Sequence, residues 1–270
     1  MELKEQIVEL IRKAAVELPE DIVLALEKAK ENEDNPNGLE ILNKILENIN
    51  KAKTEQKPMC QDTGIPVFYA KYPKDYSQIE LKKTIEEATD TASEEVPIRP
   101  NAVDSLTDEN IGNKPVIHFE ESDKLKIDLM LKGGGSENVS TLYFLPDNEL
   151  NAHRNLDGVR KCVLDAVFKA QGKGCPPYIV GVAVGGSLEQ VTHLSKKQLL
   201  RKIDDENPIK ELNGFEKNVF DDINKLGIGP LGLGGKSTAL GVKAVTSYRH
   251  PASFFVGVSL GCWAMRRQSL

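Results

Sequence analysis

The chain has 270 residues, of which 40% are hydrophobic and 28% are charged. This balance is typical of a globular protein with a buried core, and it excludes disordered, collagen-like and low-complexity classes. Asp and Glu total 41 against 35 for Lys and Arg, so the net charge of −6 provides no bulk positive field for nucleic acid. We therefore expect no nucleic-acid partner.

Signals for a membrane or for secretion are absent from the pattern. The longest stretches without a charged residue, 174–188 and 251–265, are shorter than the roughly 20 apolar residues of a membrane span. Four cysteines are too few for a disulfide scaffold, and no basic-then-apolar leader opens the chain. We expect a protein of the reduced cytoplasm without a membrane segment.

Residues 1–57 are charged and carry apolar side chains at helical spacing. The two stripes are Leu3, Ile7, Leu10, Ile11 and Ala14, then Leu39, Leu42, Ile45, Leu46 and Ile49. Pro19 suits a first helical position, and the Asn-Pro-Asn-Gly run at 35–38 is a break. The pattern predicts three helices in an N-terminal helical region, 1–57.

From Met59 onward the pattern alternates between strands and helices. Strands are predicted at 64–70, 115–119, 125–131, 178–184, 239–246 and 253–258, and helices at 77–94, 136–144, 158–171, 190–203 and 210–226. This mixture predicts an α/β fold, in which the helical region precedes a mixed α/β body at 58–270. The alternative is one continuous domain, 1–270.

The cysteines contain no CxxC pair, which disfavours a zinc ribbon or a thioredoxin-like site. Cys162 lies in an amphipathic helical stretch, where a small buried hydrophobe is expected. Cys60, Cys175 and Cys262 lie instead in predicted loops at strand ends, beside or near Gly or Pro. Such loops suit an iron–sulfur cluster, because their N–H groups offset its negative charge, but three unrelated buried thiols fit the spacing as well.

Two glycine-rich motifs imitate nucleotide-binding loops. The run Gly-Gly-Lys-Ser-Thr at 234–238 looks like the end of a P-loop, but the required first glycine is Pro230 and a strand is predicted to follow. Residues 181–186 and 229–234 do not give GxGxxG between a strand and a helix with a trailing acid. No nucleotide or nicotinamide cofactor is predicted.

Six motifs together carry a family resemblance. They are CQDTG at 60–64, IRPNAV at 98–103, KGGGSEN at 132–138, GKGCPPY at 172–178, GLGGKSTALGVK at 232–243 and RHPASFFVGVSLGCWAMRR at 249–267. In this order they closely resemble the α subunit of two-subunit class I fumarate hydratase, and the L-tartrate dehydratase α subunit is similar too. The resemblance runs from the N-terminal helices to the C-terminus.

The resemblance implies an oxygen-sensitive hydro-lyase with one [4Fe-4S] cluster per α chain. Its three cysteine ligands match Cys60, Cys175 and Cys262, and Cys162 matches none of them. Conversion of malate to fumarate removes a poorly acidic C3 proton and expels hydroxide, which an iron without a protein ligand can bind as a Lewis acid. The implied reaction is the reversible hydration of fumarate to L-malate.

The resemblance also assigns the other site residues. Gln61 and Asp62 match an active-site pair, although a turn before Gly64 explains Asp62 better without the resemblance. Arg99 matches a substrate position, where its guanidinium suits a carboxylate. His250 matches an active-site histidine, whereas the other histidines are interpreted as structural.

Residues 133–136 are predicted to end a strand and open a helix. That geometry presents backbone N–H groups to an anion, although a plain strand-to-helix turn is the alternative. For a small dicarboxylate substrate we expect Gly134 and Gly135 to make the contact.

Single-chain members of the family have a further C-terminal domain that supplies a threonine base and more Arg and Lys contacts. The motifs here end at Arg267, so the resemblance implies a separate β subunit that completes the site in an α2β2 assembly. Other functions stay open: the L-tartrate dehydratase α subunit, an iron–sulfur electron carrier or sensor with Cys162 as fourth ligand, or a structural subunit.

Overall fold

The computed structural model describes residues 1–96 and 98–270. The chain forms two compact units, each made of separate stretches of sequence. The first unit comprises Met1–Pro19, Glu47–Gly134 and Ala264–Leu270, and the second comprises Glu20–Leu46 and Gly135–Trp263. The sequence-based division after residue 57 stays a prediction.

The described residues alternate between helices and strands, which confirms the α/β class with helices first. The helices are α1 Leu3–Val16, α2 Glu20–Asn32, α3 Pro36–Glu55, α4 Gln78–Glu95, α5 Gly134–Asn138, α6 Leu156–Ala170, α7 Leu188–Gln198 and α8 Lys210–Asn224. The strands are β1 Ile65–Tyr72, β2 Ala102–Val103, β3 Asn110–Gly112, β4 Val116–Glu121, β5 Lys126–Lys132, β6 Thr141–Phe144, β7 Tyr178–Val184, β8 Ala239–Thr246, β9 Phe255–Gly261 and β10 Arg266–Ser269.

The first unit packs α1 and α4 against a four-stranded sheet in the order β10-β5-β1-β4. Strand β1 runs parallel to β4 and antiparallel to β5, and β10 adds to the far edge of β5. The predicted stripe of α1 supplies Ile7 and Ile11, which are fully buried with Phe68 of β1 and Leu129 of β5. The helical periodicity therefore identifies the face that builds this core.

The second unit has helices on both faces of a sheet in the order β6-β9-β7-β8. Tyr178, Val180 and Val182 of β7 join the core formed with α6 and α8, while α7 packs on the opposite face. All seven residues of β7 are buried. A strand covered on both faces is expected to be a continuous apolar run, and the segment predicted as a strand at 178–184 is such a run.

The structure corrects the predicted helix at 136–144. That segment holds only the end of the short α5 and then turns into β6, which pairs antiparallel with β9. The pairing with β9 is a contact across more than 100 residues, so local periodicity cannot reveal it. The sequence also missed β2, β3 and β10, which are short or strongly polar. No helix of the described chain is long and apolar enough to cross a membrane.

Gly181 of β7 lies directly against the backbone of α7. A Cβ there would lie 2.1 Å from the Ser195 carbonyl oxygen, so Gly181→Ala must push α7 away from the sheet. We expect a loss of about 1–3 kcal/mol in the free energy of unfolding, measured by denaturant titration. The matched control is Gly214→Ala in α8, where nothing lies within 4 Å of the added Cβ. That change should stabilise by about 0.5–1 kcal/mol. An unchanged unfolding midpoint for Gly181→Ala would contradict this packing.

Candidate active site

In the first unit, the loop between α3 and β1 carries a carboxylate held by backbone N–H groups. Asp62 Oδ1 accepts from Gly64 N at 3.0 Å, and Asp62 Oδ2 accepts from Gly134 N at 2.8 Å. Gly64 has φ +80, and a Cβ there would come within 2.9 Å of the Leu131 backbone. Glycine is therefore required for the loop to approach the end of β5, and this approach fixes the direction of the Asp62 carboxylate.

A buried hydroxyl joins this loop to the Arg99 segment. Thr63, which is 2% exposed, accepts from Arg99 N at 3.0 Å and from Asn101 Nδ2 at 3.0 Å through its Oγ1. Asn113 Nδ2 donates to the Arg99 carbonyl at 3.2 Å. The backbone of Arg99 is thus fixed on both sides while its side chain is exposed. Sequence reasoning missed Thr63, Asn101 and Asn113; the first two lie within the quoted motifs at 60–64 and 98–103, whereas Asn113 lies outside them.

A buried arginine lies next to Asp62. Arg266 is 1% exposed, and its Nη1 donates to the Asp62 carbonyl oxygen at 2.8 Å. In the described part of the chain, its Nε has no hydrogen-bond partner. A Cβ built on Gly133 would lie 2.9 Å from Asp62 Oδ2 and 3.6 Å from Arg266 Nη2, so both groups border the backbone of Gly133. The sequence feature that could have drawn attention to Arg266 is the pair of arginines, 266 and 267, that ends the motif at 249–267.

In the second unit, Cys175 lies in the loop between α6 and β7 with a left-handed backbone, φ +59. A non-glycine residue in that region costs about 1–2 kcal/mol, so neighbouring contacts must hold it. Cys175 N donates to the Gly172 carbonyl at 3.1 Å, and Trp263 N donates to the Cys175 carbonyl at 3.0 Å. Because Trp263 follows Cys262, this bond joins the two predicted ligand loops.

The phenol of Tyr178 is hydrogen-bonded to the backbone of the segment that leads to Cys175. Its oxygen accepts from Gly174 N at 3.1 Å and donates to the Gln171 carbonyl at 2.7 Å. Burial raises the pKa of Tyr178 to about 12; the Gly174 N–H lowers it, while negative charge on Cys175 and Cys262 raises it further. Tyr178 is fully buried, so it supports the Cys175 loop from inside the core.

The donor set agrees with an iron–sulfur group on three loop cysteines. Cys175 is exposed, Cys60 and Cys262 are half-buried, and all three lie outside helices and strands. Cys162 is fully buried in α6, and burial, aided by Asp147 and Asp165, raises the pKa of its thiol to about 12. A cluster can be reached from an accessible loop thiol but not from a thiol enclosed in the core, so the burial of the four cysteines is compatible with Cys60, Cys175 and Cys262 as the predicted ligands.

The structure brings together some of the predicted residues and not others. Asp62, Gly134 and the Arg99 backbone belong to one network of the first unit, which also contains Cys60 and the exposed Gln61. Cys175 and Cys262 lie in joined loops of the second unit. Within residues 1–96 and 98–270, no three His, Cys, Asp or Glu side chains form a group that could hold a metal ion.

The His250 loop in the second unit is fixed by two arginines. Arg249 Nη1 donates to the His250 carbonyl at 3.2 Å, and Arg154 Nη2 donates to the Ala252 carbonyl at 2.8 Å. His250 Nδ1 accepts from Ala252 N at 3.1 Å, which in the neutral ring leaves the proton on Nε2. The imidazole is exposed, so its Nε2 is available to a ligand.

A cavity of about 580 Å³ in the second unit contains none of the predicted site residues. It lies among α2, α8 and β8, and its floor includes Lys243, whose side chain is 5% exposed. Lys243 Nζ pairs with Asp205 Oδ1 at 2.6 Å. Burial opposes ionisation of Asp205, but hydrogen bonds from Arg201 and Lys243 keep its pKa below the ordinary value. Lys243 and Asp205 neutralise each other, so we interpret this ion pair as structural.

Comparison with known proteins identifies the family to which the chain belongs. The model of the family described as "Fumarate hydratase (Fumerase)" matches residues 4–270. A "Putative fumarate hydratase class I" of Geobacillus stearothermophilus is 44% identical, over 98% of this chain and 54% of that protein. The chain thus spans about half the length of that relative.

Two further relatives are named for L(+)-tartrate instead of fumarate. A "Putative L(+)-tartrate dehydratase subunit alpha" of Methanocaldococcus jannaschii is 41% identical, over 99% of this chain and 96% of that protein. The "L(+)-tartrate dehydratase subunit alpha" of Escherichia coli strain K12 is 32% identical, over 94% of this chain and 85% of that protein.

These matches define a class, the hydro-lyases, which add water to a substrate or remove it. The match over nearly the whole chain settles the family. The chain belongs to the fumarate hydratase (Fumerase) family, as the six motifs predicted.

Proposed function

We propose that this chain is the α-type part of a cytoplasmic iron–sulfur hydro-lyase that hydrates fumarate reversibly to L-malate. One observation carries the proposal: in a chain of this family, Cys175 and Cys262 lie in two accessible loops. The hydrogen bond from Trp263 N to the Cys175 carbonyl joins these loops. Together with Cys60, the two cysteines would hold a [4Fe-4S] cluster, one per chain. When bound, the cluster supplies a Lewis-acidic iron for the hydroxyl that enters or leaves.

Arg99 is the proposed anchor for one substrate carboxylate. Its side chain is exposed while its backbone is fixed by Thr63 and Asn113, so only the side chain has to become ordered when a ligand binds. A guanidinium matches a carboxylate with two parallel hydrogen bonds. Gly134 and Gly135 open α5 and would offer backbone N–H groups to the second carboxylate, although Gly134 N already donates to Asp62.

Three side chains would handle the proton and the water. The Asp62 carboxylate accepts two backbone N–H groups and keeps further lone pairs, with which it would orient the substrate hydroxyl or a water. The exposed Gln61 would donate its amide N–H to the same ligand. His250, with its proton on Nε2, would hold or donate a proton at that atom.

A separate β subunit would supply the base that acts at C3, in an α2β2 assembly. Two relatives are named as subunit alpha, and this chain covers 96% and 85% of their lengths. The same coverage favours a second candidate substrate, because those two relatives are named for L(+)-tartrate. Tartrate differs from malate by one additional hydroxyl, so the chemistry would be the same.

Anaerobic reconstitution with iron and sulfide, with and without a candidate β subunit, tests the function. We expect about four irons on the α chain and a visible cluster spectrum. Fumarate hydration, followed by the loss of its ultraviolet absorbance, should appear only after β is added. Each preparation is also given L(+)-tartrate, and preferential turnover of tartrate would replace the first substrate by the second. A chain that stays iron-free would overturn the cluster and the site roles built on it.

A further inference from the structure

The P-loop-like motif turns out to be an anion nest that the protein fills with its own carboxylate. Glu33, just after α2, is 7% exposed. Its carboxylate accepts from Lys236 N at 2.9 Å, from Ser237 N at 3.2 Å and from Asn35 N at 3.1 Å. A Cβ on Gly235, where φ is +128, would lie 2.7 Å from Glu33 Oε2. The loop amides that resemble a phosphate cradle are therefore occupied by Glu33.

Residues 227–238 form a loop that is fixed near both of its ends, since Ile228 packs in the core of the second unit and Thr238 N donates to Asn224 Oδ1 at 2.8 Å. Glu33 holds the segment between those ends. We call residues 227–238 the glycine loop; five of its glycines and Leu231 have positive φ. Leu233 is 55% exposed, so the loop contributes little apolar burial there. Its internal bonds, such as Gly234 N to the Ile228 carbonyl at 2.9 Å, close the loop on itself but do not anchor it. The nest at 235–237 is its charged anchor.

The other end of the glycine loop touches the Cys175 loop. Leu231 N donates to the Pro176 carbonyl at 2.8 Å. A Cβ on Gly172 would lie 2.6 Å from the Leu231 carbonyl oxygen, so the two backbones are in close contact. Cys175, between Gly172 and Pro176, has the left-handed φ of +59 that its surroundings must maintain.

We propose that Glu33 is a positioning residue for Cys175. Its carboxylate fixes the glycine loop, and the glycine loop fixes the backbone on both sides of the thiol through Leu231 and Gly172. The functional meaning rests on the proposed cluster role of Cys175, but the coupling between Glu33 and the Cys175 loop is a property of the chain alone. It can be measured without iron.

The first experiment compares local amide hydrogen exchange in the cluster-free full chain and in Glu33→Gln. Glutamine keeps the shape but places an NH2 group against backbone N–H donors and removes the charge. We expect about tenfold faster exchange or more, both at 229–237 and at the Cys175 and Trp263 amides. A merely local role for Glu33 predicts faster exchange at 229–237 only, and that result would overturn the proposal.

The matched control is Asp34→Asn. Asp34 pairs with Lys236 Nζ on the same loop, but both side chains are more than half exposed, so its loss should leave exchange unchanged. Peptides of α6, which lies in the core of the same unit, report whether the fold persists. If Glu33→Gln does not fold, Glu33→Asp keeps the charge with a shorter reach and should give an intermediate increase; unchanged exchange at Cys175 and Trp263 in that variant would equally overturn the proposal.

A second readout connects the coupling to the cluster. In the reconstituted protein, the rate at which the visible spectrum bleaches in air should rise at least about threefold in Glu33→Gln and stay unchanged in Asp34→Asn. If Glu33→Gln speeds amide exchange at both 229–237 and the Cys175 loop but no variant binds a cluster, the positioning role of Glu33 stands. The same result would overturn the proposed function. A cluster that bleaches at the same rate in both variants would contradict the positioning of Cys175 as a ligand.

Discussion

Replacing Asp62 by asparagine should lower kcat for fumarate hydration by about 10²- to 10⁴-fold while the cluster remains bound. The carboxylate is fixed by two backbone N–H donors, from Gly64 and Gly134, so its oxygens face one defined direction. An asparagine side chain keeps one acceptor but turns an NH2 group toward one of those donors. It therefore loses both the charge and the orientation that proton transfer requires.

The measurement is kcat with saturating fumarate in the presence of the β subunit, together with the iron content and the free energy of unfolding of the chain. Asp104→Asn is the matched control, because Asp104 also accepts two backbone N–H groups, from Leu106 and Thr107, in an exposed turn of the same unit. These bonds lower the pKa of Asp104. Both variants lose a carboxylate that holds a turn, but only Asp62→Asn should lose turnover. Full activity in Asp62→Asn would contradict a catalytic role for Asp62 and would leave it with the turn role that its local sequence favours.

Much of the fold was predictable because it rests on local periodicity. The stripe of α1 and the apolar run of β7 identify the buried faces before any contact is known. The segment 141–144 was not predictable, because it becomes a strand only through its pairing with β9. The strand β10 was missed for a related reason: Arg266 and Arg267 are polar in sequence, and only their pairing with β5 buries them.

The candidate site divides along the same line. The sequence could nominate its thiols, Asp62 and Arg99 as candidates because motifs contain them, and their roles stay predictions. Thr63 and Arg266 could not be nominated, since their roles come from hydrogen bonds to residues 36 and 204 positions away. Glu33 was invisible for the same reason: it acts on amides about 200 positions away, and nothing in its own segment indicates an acceptor for a glycine loop.

The largest effect on cofactor binding is expected from Cys175→Ala. Removing one of the three proposed ligands should reduce the iron content after reconstitution from about four to less than one per chain. Alanine in place of Cys175 keeps the Trp263 N–H bond to the carbonyl and the left-handed backbone, so the loop loses the sulfur and little else. Iron analysis and the visible spectrum measure the loss, and thermal unfolding of the iron-free chains verifies the fold.

Cys162→Ala separates the hydro-lyase from an electron carrier with four cysteine ligands. With a pKa of about 12, the Cys162 thiol is almost wholly protonated at neutral pH, and it packs in the core of α6 where no cluster sulfur can approach without unpacking the helix. Its replacement should therefore leave the iron content and spectrum unchanged. If Cys162→Ala lost the cluster and Cys175→Ala kept it, both the ligand set and the open iron would be wrong. The opposite pattern would support Cys60, Cys175 and Cys262 as the ligands, and a cluster held by three cysteines would supply an iron without a protein ligand as a Lewis acid.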